Sequence, residues 1–237
     1  MEKTNAKLKT LYEEFLPQLS EQAFCVNKQL SGKNKATNPL LIKIGEEYID
    51  AKMKIMFFGQ ETNSWHLEMD GTGKFHGEIE PLLQLYKKFY LKKGCYSYGG
   101  QFWNGINRFK QQIKKHELHT SGLIWNNVVK IGRCGKGTPN KEILNIQKRN
   151  FKVIEKEIEI LKPDFLVFFS GPNYDHLINE MVAPTKFTPI KNFNERQLCT
   201  LETSFGVKAF RTYHPNYLWR NGIDKYLDAI IYEMKNQ

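Results

Sequence analysis

Residues 54–66, Lys-Ile-Met-Phe-Phe-Gly-Gln-Glu-Thr-Asn-Ser-Trp-His, constrain this chain more than any other stretch. Its apolar run, Ile55 to Phe58, stops at Gly59. A run so short, bounded by glycine, predicts a strand buried on both faces rather than a helix. Every residue from Gln60 to His66 then carries a hydrogen-bonding group. Parallel sheets hold ligands at the carboxyl ends of their strands, and a loop this polar is expected to lie at one.

Three further runs repeat the pattern. Leu123–Val129 leads into the Gly-rich, basic segment 130–139, Phe165–Phe169 into Ser170-Gly171-Pro172, and Val207–Tyr213 into His214-Pro215-Asn216. Helical spacing fills the intervals. It predicts helices over 78–92, 102–115, 141–161, 174–181 and 224–235, and a first one over 3–20 that Pro17 ends or kinks. Residues 31–39 read as a polar connector and 184–206 as a loop or hairpin. Four buried strands separated by helices predict an α/β fold with a mostly parallel sheet covered on both faces. No linker divides the 237 residues, so one domain is expected over 1–237, with 1–50 as an N-terminal helical extension.

Composition narrows the class. A 41% hydrophobic and 25% charged content is that of a soluble globular protein, and no apolar run approaches the ~20 residues of a membrane span. The first residues lack the apolar core of a signal peptide, which predicts a cytoplasmic protein, expected to be a monomer without a membrane partner. The four cysteines, Cys25, Cys95, Cys134 and Cys199, are scattered without a Cys-x-x-Cys pair, so neither a zinc ribbon nor a disulfide framework is indicated. A net charge of +10 is compatible with a polyanionic partner. Neither a Gly-x-Gly-x-x-Gly nor a phosphate-loop Gly-Lys-Ser/Thr is present, and no cofactor or metal is expected.

Parallel strands share a direction, so Gln60 and Glu61, Asn126 and Asn127, Ser170 and Gly171, and His214 are expected on one rim of the sheet. A carboxylate, a carboxamide and an imidazole would then share a cleft. The order Gly59-Gln-Glu, Asn127-Val-Val-Lys130, Ser170-Gly171-Pro172 and His214-Pro-x-x-Leu218 resembles the uracil-DNA glycosylase superfamily. The small bacterial and archaeal enzymes that usually hold an iron–sulfur cluster are its most similar branch. The resemblance runs from about 54 to 232, weakest over 67–115. It implies a three-layer α/β/α sandwich around a four-stranded, mostly parallel sheet.

The resemblance also implies chemistry and a partner, DNA in single- or double-stranded form. Cleaving an N-glycosidic bond places negative charge on the leaving base and positive character on the sugar, after the base has left the stack. By this resemblance Asn127 reads the base, accepting the N3–H of uracil and donating to its O4, while cytosine presents the reverse pattern. His214 donates to the oxyanion forming at O2, and Pro215 fixes it in an extended loop. Glu61 stands where the best-known branch carries an Asp that positions water and stabilises the sugar cation. Gln60 contacts the base through its backbone, and Phe75, or else Phe102, stacks on it. Leu218 fits the wedge that fills the vacated stack, with Lys130, Arg133 and Arg220 near phosphates. Ser170, Gly171, Pro215 and Asn216 complete the expected DNA-contacting set.

The chain departs from the family in two places. The partners of Cys25 and Cys134 in a cluster quartet are missing, which predicts no cluster. The Pro-Tyr or Pro-Gly that usually follows the acidic position is replaced by Thr62-Asn63, so the group that excludes a 5-methyl is absent at Asn63, a base-contacting position, and Trp65 is the residue that could cover the same wall. Two alternatives stand beside a DNA glycosylase: a DNA-binding protein of this fold with altered catalysis, and a hydrolase of another N-glycoside.

Overall fold

Ile55, Met56, Phe57 and Phe58 are all fully buried, as a strand flanked on both sides requires. The structure, a computed structural model, describes residues 1–65, 78–118, 120–182 and 186–236. Its strands are β1 (Ala36–Pro39), β2 (Met53–Asn63), β3 (Ser121–Arg133), β4 (Phe165–Phe168), β5 (Phe187–Pro189), β6 (Leu198–Glu202) and β7 (Lys208–Thr212). Its α-helices are α1 (Glu2–Gln29), α2 (Glu46–Ile49), α3 (Ile79–Tyr86), α4 (Gly94–Tyr98), α5 (Gln101–Lys115), α6 (Lys141–Asn150), α7 (Ile154–Leu161), α8 (Asp175–Val182), α9 (Pro215–Arg220) and α10 (Ile223–Lys235).

The strands form one sheet in the order β1-β3-β2-β4-β7-β6-β5. The four strands expected from sequence are its neighbouring middle members, with β2–β4 and β4–β7 parallel. The α/β class stands, but the sheet has seven strands rather than four. β1 adds antiparallel to β3, and a β5–β6 hairpin adds antiparallel to β7. These edge strands are short and partly polar, and Ala-Thr-Asn-Pro in β1 carries no strand pattern of its own. Pairing creates it, aided by the Leu40 N–H donating to the Lys130 carbonyl at 2.8 Å. The N-terminal 50 residues therefore hold a strand as well as helix.

The chain divides into two compact units. The first comprises residues 1–44, 60–92 and 129–161. In it α1 packs on α3, α6 and α7 through Leu8, Leu11, Tyr12, Leu16, Leu19 and Ala23. Pro17 neither ends nor interrupts α1. It lies on the exposed side, where water can solvate the carbonyl of Glu13 left without its partner, while Leu16 and Leu19 keep the opposite face packed. The single helix expected over 141–161 is instead α6 and α7, broken at 151–153. Phe151 and Val153 are both buried, which residues two apart on one helix could not be against a single surface.

The second unit comprises residues 45–59, 93–128 and 162–237, with 119, 183–185 and 237 outside the described set. Here α5, α9 and α10 pack on one another. The segment after His214 was expected as an extended loop; instead Pro215 starts α9 at the first helical position. Proline suits that position, and its restriction on the preceding residue falls on His214, whose ψ of 140° is extended. Pro215 is buried against Gly105 of α5, where any side chain would collide with its ring. Among the described residues, no helix is long and apolar enough to cross a membrane.

Candidate functional site

The polar side chains that gather in the second unit do so around Gly59. A Cβ built there would lie 2.5 Å from the Asn127 Oδ1 and 3.0 Å from Cζ of Phe102. The missing side chain is what lets carboxamide and ring approach this part of β2. The Phe102 ring also lies 5.5 Å from the His214 imidazole, tilted by 30°, and 6.4 Å from Phe57. Asn127, Phe102 and His214 thus meet around one glycine.

Each is placed by a different element. Asn127 belongs to the interior of β3, not to its end, and Gln60 and Glu61 likewise fall within β2. The expected strand ends were too early because both strands continue beyond the apolar runs. Position 59 is nonetheless level with the ends of β4 and β7, since Phe58 pairs with Phe168 and Phe168 with Arg211. Phe102 opens α5, and His214 precedes α9.

Asn127 is 2% exposed. Its Oδ1 accepts from the indole Nε1–H of Trp125 at 3.1 Å, and its Nδ2 has no partner among the described residues. His214 Nδ1 accepts the Asn216 backbone N–H at 3.2 Å, so in the neutral ring the proton is on Nε2. Burial pushes this imidazole down from 6.5 to about 4, so it is neutral at pH 7.

That shift has a consequence for stability. The unfolded chain binds a proton at His214 near pH 6.5 and the folded chain only near 4, so folding opposes protonation in that window. Stability falls as pH drops from about 6.5 to 4, by up to about 3 kcal/mol from this group. The expected result is a thermal midpoint that declines more steeply over that range in the native protein than in His214→Asn. Parallel curves would show that His214 does not supply the slope.

Several expected DNA contacts are corrected by burial. Lys130 is fully buried, and its Nζ pairs with Glu157 at 2.7 Å; an ammonium held inside cannot reach a phosphate. Leu218 is 0% exposed on the inner side of α9, because forming that helix turns it into the core, so it cannot serve as a wedge. The large apolar side chain that α9 exposes is Trp219. Ser170 and Gly171 are buried, the Gly171 N–H donating to Thr212 at 3.0 Å, and Pro215 is buried as described. Asn216 and Arg220 are exposed, with Arg220 Nε donating to the Asn216 carbonyl at 3.2 Å. In the first unit, Arg133 donates to Asn34 Oδ1 at 3.2 Å and to the Lys136 carbonyl.

Gln60 and Glu61 are half-buried, and both belong to the first unit. Asn63 is exposed, its Oδ1 accepting from the Gly137 N–H at 3.3 Å. Trp65 is buried with its ring edge-on to Phe89 at 5.5 Å. Phe75 lies outside the described residues. Phe102, weighed second in the sequence, is the aromatic that the structure places beside Asn127 and His214. Trp125 was missed, although its spacing of two from Asn127 on a strand puts both on one face.

The cysteines do not fit a cluster. Cys95 and Cys199 are buried in the second unit, Cys25 is exposed on α1, and Cys134 follows β3. Among the described residues no three His, Cys, Asp or Glu side chains are grouped to hold a metal ion.

A parallel-cored α/β sheet thus carries a buried carboxamide, a neutral imidazole and an aromatic ring around one glycine. The model of the uracil DNA glycosylase superfamily matches residues 46–235, and the chain belongs to that superfamily. Its members are generally hydrolytic glycosylases that act on DNA. The match begins after α1 and β1 and takes in Gly59, Phe102, Asn127 and His214. No curated protein matches the chain.

Proposed function

We propose that this protein is a monofunctional DNA glycosylase that hydrolyses the N-glycosidic bond of uracil, or of a related base, in DNA. The observation that carries this reading is the meeting of Asn127, Phe102 and His214 around Gly59. The extruded base stacks on Phe102. Asn127 Nδ2 donates to O4, and the free lone pair of its Oδ1 accepts N3–H. As the bond to C1′ breaks, the electron pair moves onto the base and concentrates at O2, where the Nε2–H of neutral His214 donates. A neutral donor suits this step because the proton is shared with the oxyanion, not surrendered. The oxygen of the attacking water joins C1′, one proton is released, and the base leaves as an anion that solvent protonates. Only water is consumed.

The polar contacts to DNA are assigned to the exposed Asn216 and Arg220 of α9 and to Arg133 of the first unit. The test is release of base from oligonucleotides that each carry one altered base, single- and double-stranded. Abasic sites at uracil or a related pyrimidine are the expected result. DNA that is bound but yields no abasic product at high enzyme would overturn the hydrolase. It would instead favour a DNA-binding protein of this fold, a reading that the engagement of Asn63 by Gly137 supports.

A further inference from the structure

A carboxamide looks nearly the same to its surroundings in either of its two flip states, yet the two read opposite hydrogen-bond patterns. At Asn127 the choice is not left open. Trp125 lies two residues earlier on β3, on the same face, and is 4% exposed. Its indole nitrogen can donate but never accept. The Asn127 side-chain atom 3.1 Å from Nε1 must therefore be the oxygen. Turning the amide over would set an NH₂ against an N–H in a dry interior, where two donors cannot satisfy each other.

The indole itself is locked. Its ring is edge-on to Trp103 at 5.0 Å, and Trp103 is edge-on to Phe102 at 5.1 Å. The lock leaves a definite pattern: a buried NH₂ without a partner among the described residues, beside an oxygen with one lone pair still free. A donor next to an acceptor complements a ring N–H next to a carbonyl, the lactam edge of uracil. An amidine edge, with ring nitrogen as acceptor and exocyclic NH₂ as donor, is what the flipped amide would take.

We propose that Trp125 is a specificity-determining positioning residue, which fixes the flip state of Asn127 so that the site takes lactam-edged bases and rejects cytosine-like ones. This rests on the reading of Asn127 as the base reader, but it needs no hydrolysis. The indole touches no substrate; it acts through Asn127.

The experiment measures equilibrium binding of oligonucleotides carrying an uncleavable uridine or cytidine analogue, in the full-length protein. The native protein is expected to prefer the uridine analogue. Trp125→Phe removes the N–H and retains a ring, and the preference is expected to shrink about tenfold or more, mostly by tighter binding of the cytidine analogue. Side-chain amide NMR of the ligand-free protein and variant reports the same event directly, since the Asn127 NH₂ signals shift in Trp125→Phe. No preference in the native protein, or an unchanged preference in Trp125→Phe, would overturn the proposal. A preference that responds as expected without any base release would sink the hydrolase and leave the role of Trp125 intact.

Discussion

His214→Ala is expected to slow base release from a uracil-containing oligonucleotide about 10²–10³-fold while leaving DNA affinity within about threefold. The size follows from where the donor acts. A preorganised N–H in a partly dry site contributes most when charge develops opposite it, and little to the neutral ground state. His214 is organised on both sides: the Asn216 N–H occupies Nδ1 and fixes the tautomer, and Phe102 packs on the ring. Single-turnover rates and a binding isotherm check it together. A fall in affinity that matches the fall in rate would show a ground-state contact instead. The same burial that keeps the ring neutral predicts that the native rate does not decline as pH falls from 8 to 6 through titration of this group.

Lys130→Ala is expected to destabilise the folded protein by about 3–5 kcal/mol. The ammonium and the Glu157 carboxylate are 2.7 Å apart with side chains fully buried, and the Tyr12 hydroxyl donates to the same oxygen at 2.6 Å while accepting the Ile42 N–H at 3.0 Å. Burial pulls the Lys130 ammonium down and Glu157 pulls it up, so the contact between the two opposes the cost of burying the charge. Removing the lysine leaves an uncompensated carboxylate; Lys130→Met with Glu157→Gln removes both charges and should recover most of the loss. Urea unfolding checks the stabilities. The salt dependence of DNA binding should be the same in the double variant as in the native protein. A slope lower by about one would reinstate Lys130 as a phosphate contact.

The basic, Asn-Val-Val-Lys character of that segment suggested a phosphate contact because sequence reveals a charge but not what faces it. Glu157 is 27 residues away and was read only as part of a helix. Leu218 shows the complementary failure. In a loop it would have been a projecting apolar group, but Pro215 begins a helix there, and on a single helical turn Leu218 faces the core while Trp219 faces water.

The sequence by itself determined the four middle strands, most of the helices, the family and the residue types of the site, because apolar runs ending in Gly, Ser or His are local patterns. Order along the sheet, the three added edge strands, the choice of Phe102 as the ring beside Asn127 and the fate of Lys130 were decided only by tertiary structure. Each depends on a partner remote in the chain, and burial, pairing and amide orientation belong to the pair and not to either residue alone.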